Sequence, residues 1–345
     1  MIVPKNYGPV LAKARVGKGK LLDKQKYNAI LYAENFRIAI SYLNNTDYWS
    51  YLSKFSQKEP STLEIERALF EYYYDELNKC IKYSPEEGKI FLNLLHDYEL
   101  IMILIDLLVS KYYDVDFKIF YDTLTREIFL EKKKPSYDKP DTILELFKEK
   151  TIMPKLQQII SETVNDINRL TLQIKFAFWK TFLEIINEKV GRETLLTEIF
   201  RMQLFKENIM LIIRLKSIGA PNNLIKQFIT PFSFTEEKIL EKLLLTADIK
   251  AYAASAAEEY QGILKEFIEK ISIFRADELE VEYNKIIARK AYEAFLTYPF
   301  KPDIAYGYIT IKRFEIEDVM KMLKSKLLSI SIENLKKVLI LPIFF

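Results

Sequence analysis

Three observations predict an all-α fold. Glycine is scarce, with 8 in 345 residues, while 22 tyrosines and 23 phenylalanines supply the bulk that helix interfaces need. Long stretches place apolar residues three and four positions apart, and none alternates apolar with polar far enough to demand a strand. Helix start signals also recur: Ser61-x-x-Glu64, Ser84-Pro85-Glu86-Glu87 and Ser233-x-x-Glu236.

Composition narrows the function classes. Fifty-one basic residues face 48 acidic ones, for a net charge of +3, which argues against a dedicated nucleic-acid binder. A single cysteine, Cys80, rules out an internal disulfide and points to a reducing compartment. With a single histidine, His96, one chain has no basis for a His/Cys metal site or a histidine triad. The N-terminus lacks the apolar core of a signal peptide. The most apolar stretch, Leu100 to Val109, is too short to span a bilayer and is interrupted by Asp106. A soluble chain that touches a membrane assembly is expected.

The opening segment carries Lys13, Arg15, Lys18 and Lys20 around Gly17 and Gly19. Its GKGK string is not a phosphate loop, because the required G-x-x-x-x-G-K is absent and Leu21 follows Lys20 where Ser or Thr is needed. A solvated basic turn is predicted; the functional alternative is a surface for an acidic partner, with Lys13 and Arg15 as candidates. Helices follow over Lys24 to Tyr32 and Asn35 to Leu43, ended by the polar run Asn44 to Asp47. The capping box at Ser61 opens a helix through Cys80 whose Tyr72, Tyr73 and Tyr74 belong to a core. The signal at Ser84 opens a helix that turns apolar on all sides toward Val109, with His96 as a structural residue. The charged run Glu131 to Lys134, then Pro135 and Pro140, suggests a first domain boundary within Phe117 to Asp141. Gly219, followed by Pro221, ends a later helix, and the stretch up to Phe234 suggests a second boundary.

Three helix types recur in the same order, about a hundred residues apart. A pair of short helices starts at Asn28, Thr142 and Lys238. A long aromatic-rich helix starts at Glu64, Ile167 and Asp277. A polar-started apolar helix starts at Asp97, Phe205 and Glu315. The third type aligns without gaps: Glu99, Glu207 and Glu317 share a column; Leu100, Asn208 and Asp318 fill the next; further on Arg214 matches Lys324, with Asp106 in the first copy. Three domains are expected, 1–131, 132–234 and 235–345, stacked as a solenoid or closed into a ring. In the last copy, Tyr308, Ile311, Ile316, Val319, Met322 and Leu323 share one face, and Lys312 and Glu315 fall inside it. Spaced i, i+3, they can meet, and burial demands that they pair. They are read as a structural pair, or as a clamp holding this helix to the other copies or to a partner.

On these residues the whole chain resembles the C-subunit family of archaeal A-type rotary ATP synthases, whose eukaryotic relative is the d component of the vacuolar ATPase. Ala14-Arg15-Val16, Leu21-Leu22 and Tyr27 match the opening of that family, and Tyr308, Lys312, Glu315 and Lys326 match its C-terminal helix. Arg313, Asp318, Met320 and Ser325 stand where the family has Glu, Asn, Arg and Gly; Asn208 keeps the amide in the second copy. The resemblance implies a funnel of three helical domains about a pseudo-threefold axis. It implies a non-catalytic rotor part on the cytoplasmic face of the membrane. There it would sit on the ring of membrane proteolipids, receive shaft subunits of the D and F type, and transmit torque. No cofactor, metal, nucleic acid or small-molecule substrate is expected. The candidate structural and interface residues are Lys312, Glu315, Asn208, Arg214, Lys13 and Arg15. Two other classes compete with this one. A prenyl-diphosphate enzyme needs a D-D-x-x-D helix, which Asp114-Val-Asp116 does not supply. A free-standing helical adaptor or scaffold fits the composition but predicts a different partner.

Overall fold

The computed structural model describes residues 7–113, 155–159, 166–189, 194–296 and 303–344. These are helical throughout, with no strand among them. The proposed boundary in Phe117 to Asp141 and most of the short-helix copy from Thr142 lie outside the described residues.

The chain opens with α1 (Gly8–Gly19), α2 (Lys24–Tyr32), α3 (Phe36–Ser41) and the single turn α4 (Trp49–Leu52). The first of these corrects the sequence reading: the basic segment is a helix, not a solvated turn. Its buried residues Val10, Ala14 and Gly17 lie at three- and four-residue spacing, while Lys13, Arg15 and Lys18 point elsewhere. Gly17 lies directly against the Tyr308 ring, where an added Cβ would come within 2.2 Å of the ring carbon Cζ. The caps of α2 and α3 are local: Asp23 accepts from the Lys26 N–H at 2.7 Å and Asn35 from Ile38 at 3.0 Å.

Six long helices carry the core. They are α5 (Thr62–Tyr83), α6 (Glu86–Tyr112), α7 (Ile167–Lys189), α8 (Leu195–Ser217), α13 (Ala276–Glu293) and α14 (Asp303–Leu327). The capping box of α5 forms in both directions between Ser61 and Glu64, as the sequence predicts. At the next start, Ser84 turns its hydroxyl back to the Cys80 carbonyl at 2.8 Å, closing α5. The Pro85 carbonyl accepts the first bond of α6, from Lys89. Gly219, at φ +77°, is the C′ residue of α8, with bonds from Gly219 to Lys216 and from Ala220 to Leu215. Between α8 and α13 lie α9 (Asn222–Lys226), α10 (Phe234–Leu245), α11 (Ile249–Ala256) and α12 (Gly262–Ile273); α15 (Ile332–Val338) and a last turn, Leu341–Phe344, close the chain.

The helices of two repeated types, the aromatic and the central, meet in a cyclic order. Of the aromatic helices, α5 lies against α6 and α14, α7 against α6, and α13 against α8 and α14. Each therefore touches the central helix (α6, α8 or α14) of the preceding copy, and the first copy touches the last. Finer contacts repeat as well. The register that carries Glu207 onto Glu317 carries Asn208 onto Asp318 and Thr230 onto Ile340. Asn208 pins the backbone of Thr230, donating to its carbonyl at 2.8 Å and accepting from its N–H at 2.9 Å. Asp318 pins the backbone of Ile340, accepting its N–H at 3.0 Å. The same register pairs Gly219 with Ser329, which takes φ +54° and closes α14 with a bond from Ile330 to Ser325. It also pairs Lys216 with Lys326. Lys216 caps α10 through the Leu244 carbonyl, and Lys326 caps α2 through the Leu31 carbonyl, each at 2.7 Å.

The last central helix is more deeply buried than one amphipathic face requires. From Asp303 to Lys312 every residue of α14 is buried, because α1, α5 and α13 pack around it. The six apolar residues of the predicted face are all within the core.

Candidate functional site

The buried polar groups concentrate along α14. Lys312 and Glu315 are inaccessible to solvent, with side-chain exposures of 0% and 1%, and their charged atoms stand 2.7 Å apart. Glu315 also accepts from the Tyr48 hydroxyl at 2.7 Å and from the Leu22 N–H at 2.6 Å, so both its oxygens are satisfied. The Lys312 ammonium lies 4.7 Å from the ring centroids of Tyr48 and Tyr72, whose faces supply further stabilisation. The pair thus ties α14 to the linker after α1 and to the aromatic layer of α4 and α5.

A second buried carboxylate, Glu76 of α5, lies one turn away. It accepts from Tyr308 at 2.6 Å, from Lys79 at 2.9 Å and from Lys13 at 3.3 Å. Burial opposes its ionisation, but these donors and the two lysines hold its carboxyl below the usual range. A third, Asp318, accepts from the Ile340 and Leu341 N–H groups and from the Tyr27 hydroxyl. Burial outweighs these bonds and the nearby Lys321, and pushes its carboxyl up to about 6. Glu76 shows the same signature as Lys312, a charge one turn from Tyr72 and Cys80 on a buried face, so the rule that selects Lys312 also selects it.

The three central helices converge on a cavity of about 240 Å³ whose walls include Tyr98, Lys175, Glu207, Glu280, Arg313 and Glu317. The column of glutamates meets here. Arg313 stands 3.0 Å from Glu99 and 3.1 Å from Glu317, over the Tyr98 ring. Burial raises the Glu99 carboxyl above its usual range against the pull of Arg313. Around Glu207 burial works the same way, but Lys206 and Lys175 prevail and hold its carboxyl low. Arg313 thus bridges two glutamates of the column; the alignment of the three copies places the glutamates, and nothing local in the sequence identifies their partner.

Of the remaining candidates, Lys13 alone reaches the groups along α14. Arg214, at the cavity wall, pairs with Glu280 of α13 at 2.6 Å. Asn208 is buried behind it in its backbone clamp. Lys13 joins the Glu76 cluster, and Arg15 is exposed on α1. His96 packs edge-on to Tyr74, with ring centroids 5.5 Å apart, as a structural residue. Among the described residues no cluster of His, Cys, Asp and Glu is arranged to hold a metal, and no helix is long and apolar enough to cross a membrane.

Comparison with known proteins matches the recurring helices at full length. The model of the family described as ATP synthase (C/AC39) subunit matches residues 10–338. Several archaeal relatives are named as the C-type subunit of an A-type ATP synthase. That of Pyrococcus horikoshii is 22% identical over 316 residues, covering 91% of this chain and 84% of the relative. The Methanocaldococcus jannaschii protein of that name is 22% identical over 357 residues, covering 97% and 86%. The Thermococcus kodakarensis protein is 22% identical over 317 residues, covering 91% and 84%. With the all-helical fold and a family match from α1 to α15, the chain belongs to the ATP synthase (C/AC39) subunit family.

Proposed function

We propose that this chain is the non-catalytic central-stalk subunit of an A-type rotary ATP synthase. It sits on the cytoplasmic face of the membrane, on the proteolipid rotor ring, and receives the foot of a shaft built from D- and F-type subunits. Its three helical units, 1–131, 132–234 and 235–345, surround a pseudo-threefold axis, and the body transmits torque between ion flow and nucleotide turnover. The observation that carries this reading is the cyclic packing, in which each aromatic helix lies on the preceding central helix and the first lies on the last. A part that passes twist from one partner to another must resist shear, and interlocked long helices give the required stiffness. The buried pair Lys312–Glu315, and Arg313 with the buried Glu99, act within this frame as ties between helices. Lys13, Arg15 and Arg214 are the candidates for contact with neighbouring subunits.

The test is purification of tagged protein from native membranes, followed by single-molecule rotation. The expected result is co-purification with ring proteolipids and shaft subunits, and loss of ATP-driven rotation coupled to the ring when the chain is depleted. Recovery as a free helical adaptor, with coupling unchanged by depletion, overturns the proposal.

A further inference from the structure

One helix pair departs from its two counterparts. α5 packs along α6 and α13 along α14, whereas α7 and α8 have no comparable contact along their lengths. They meet near their connected ends, where the rings of Phe182 and Phe200 lie 4.4 Å apart. Away from that point they splay, and a cleft of about 180 Å³ opens between them. Gly307 of α14 lies so close to α13 that an added Cβ would be 2.6 Å from the Ala291 carbonyl, while α8 carries the branched Thr197 in the same register.

The cleft has apolar walls, among them Phe176, Leu211 and Phe228, and two polar residues bear on what it could hold, Thr230 and Lys175. Thr230, 8% exposed, lines it; its hydroxyl makes no hydrogen bond, although the backbone of that residue is clamped by Asn208. Lys175 stands in none of the close ion pairs among the described residues, and its charge acts on Glu207 and Asp106 from farther off. Its neighbours are already matched: Arg214 pairs with Glu280, and Glu207, the one carboxylate of the cleft, pairs with Lys206 at 3.3 Å. In the last copy the corresponding place is filled. Ile340 stands at the position of Thr230 and is fully buried, and the following turn packs against both α13 and α14.

We propose that the α7–α8 cleft is an anchor pocket for a neighbouring protein subunit, taking one apolar side chain of leucine or phenylalanine size that has a carboxylate beside it on the same segment. A cavity of about 150 Å³ holds one benzene ring, so the volume fits a single side chain and not a helix. The excess of cationic charge in the cleft selects an acidic segment. Thr230 supplies a hydrogen bond to a polar atom of the incoming segment, relieving its buried hydroxyl. The inference rests on the proposed function only for where the partner is found, within the ATP synthase.

The experiment places a diazirine analogue of leucine at Leu172, on the cleft wall, in complex purified from native membranes. Light is expected to produce an adduct with one neighbouring subunit, mapping to an acidic segment. Thr230→Ile, which installs the residue the chain uses at the matching position, is expected to cut the adduct at least tenfold while the complex stays assembled. Lys175→Met is expected to cut it severalfold, and serves alone if Thr230→Ile lowers the thermal midpoint of the isolated chain. An adduct unchanged in both variants, or none with the chain held in the complex, overturns the inference. Saturable binding of 3-phenylpropionate to the assembled complex without a protein adduct also overturns it, in favour of a small carboxylate. Recovery of the chain free of other subunits overturns the proposed function instead.

Discussion

Lys312 enters the core as half of an ion pair whose carboxylate has two further donors, Tyr48 and Leu22. Removing the ammonium leaves Glu315 buried with its charge uncompensated, the costly way to break such a pair. Lys312→Met is expected to destabilise the chain by about 3–5 kcal/mol in urea titration, and Lys312→Met with Glu315→Gln to recover part of that loss. A loss below about 1 kcal/mol would mean that the pair is solvated. Asp318 behaves in the opposite sense. Its folded-state carboxyl lies at about 6, above the ordinary value of about 3.9, so the folded state binds the proton more tightly. Its contribution to stability is complete below about pH 4 and is lost as pH rises through about 6. Asp318→Asn is expected to flatten the thermal midpoint between pH 4 and 7 and to gain up to about 3 kcal/mol near neutrality. Asn208 already shows an amide accepting the matching backbone N–H. The same slope in Asp318→Asn as in the parent would contradict this.

Among the elements, α1 depends most on a single small residue. Gly17 allows it to lie on the Tyr308 ring, and behind that contact Leu22 reaches Glu315. Gly17→Ala is expected to displace the helix and cost about 1–3 kcal/mol, through forced repacking. Hydrogen exchange is the sharper measurement: the Leu22 amide should lose protection while amides in α8 keep theirs. Uniform loss, or none, would show that α1 is not docked through this contact. The helix ends were the most legible part of the sequence, because caps act over three or four residues: Ser61 with Glu64, Ser233 with the Glu236 N–H, and Gly219 with Leu215 and Lys216. The helical state of α1 was not legible, since alanine and glycine contacts leave little apolar pattern to read. The partners of Glu76 and Glu99 were equally hidden, because each lies on an element distant in sequence and local spacing carries no record of it.

At the scale of the whole molecule, the recurrence of the long aromatic and central helices was visible in the sequence, and the register linking Asn208 to Asp318 reappears in the backbone each one clamps. Whether the copies form an open stack or a closed body was not visible there, because both bury the same faces. The contacts of α5 with α14 distinguish them: the first aromatic helix returns to the last central helix. An open stack has end units with one unprotected side, where fraying begins. Here the order of neighbours returns on itself, with α7 and α8 joined only near their connected ends, so the seams form a hoop with one narrow link. A load applied to one seam is shared with the others around the circumference, as in a washer under a turning bolt. Severing the α7–α8 link would turn the hoop into a strip with two free edges, so that narrowest link sets the strength of the whole.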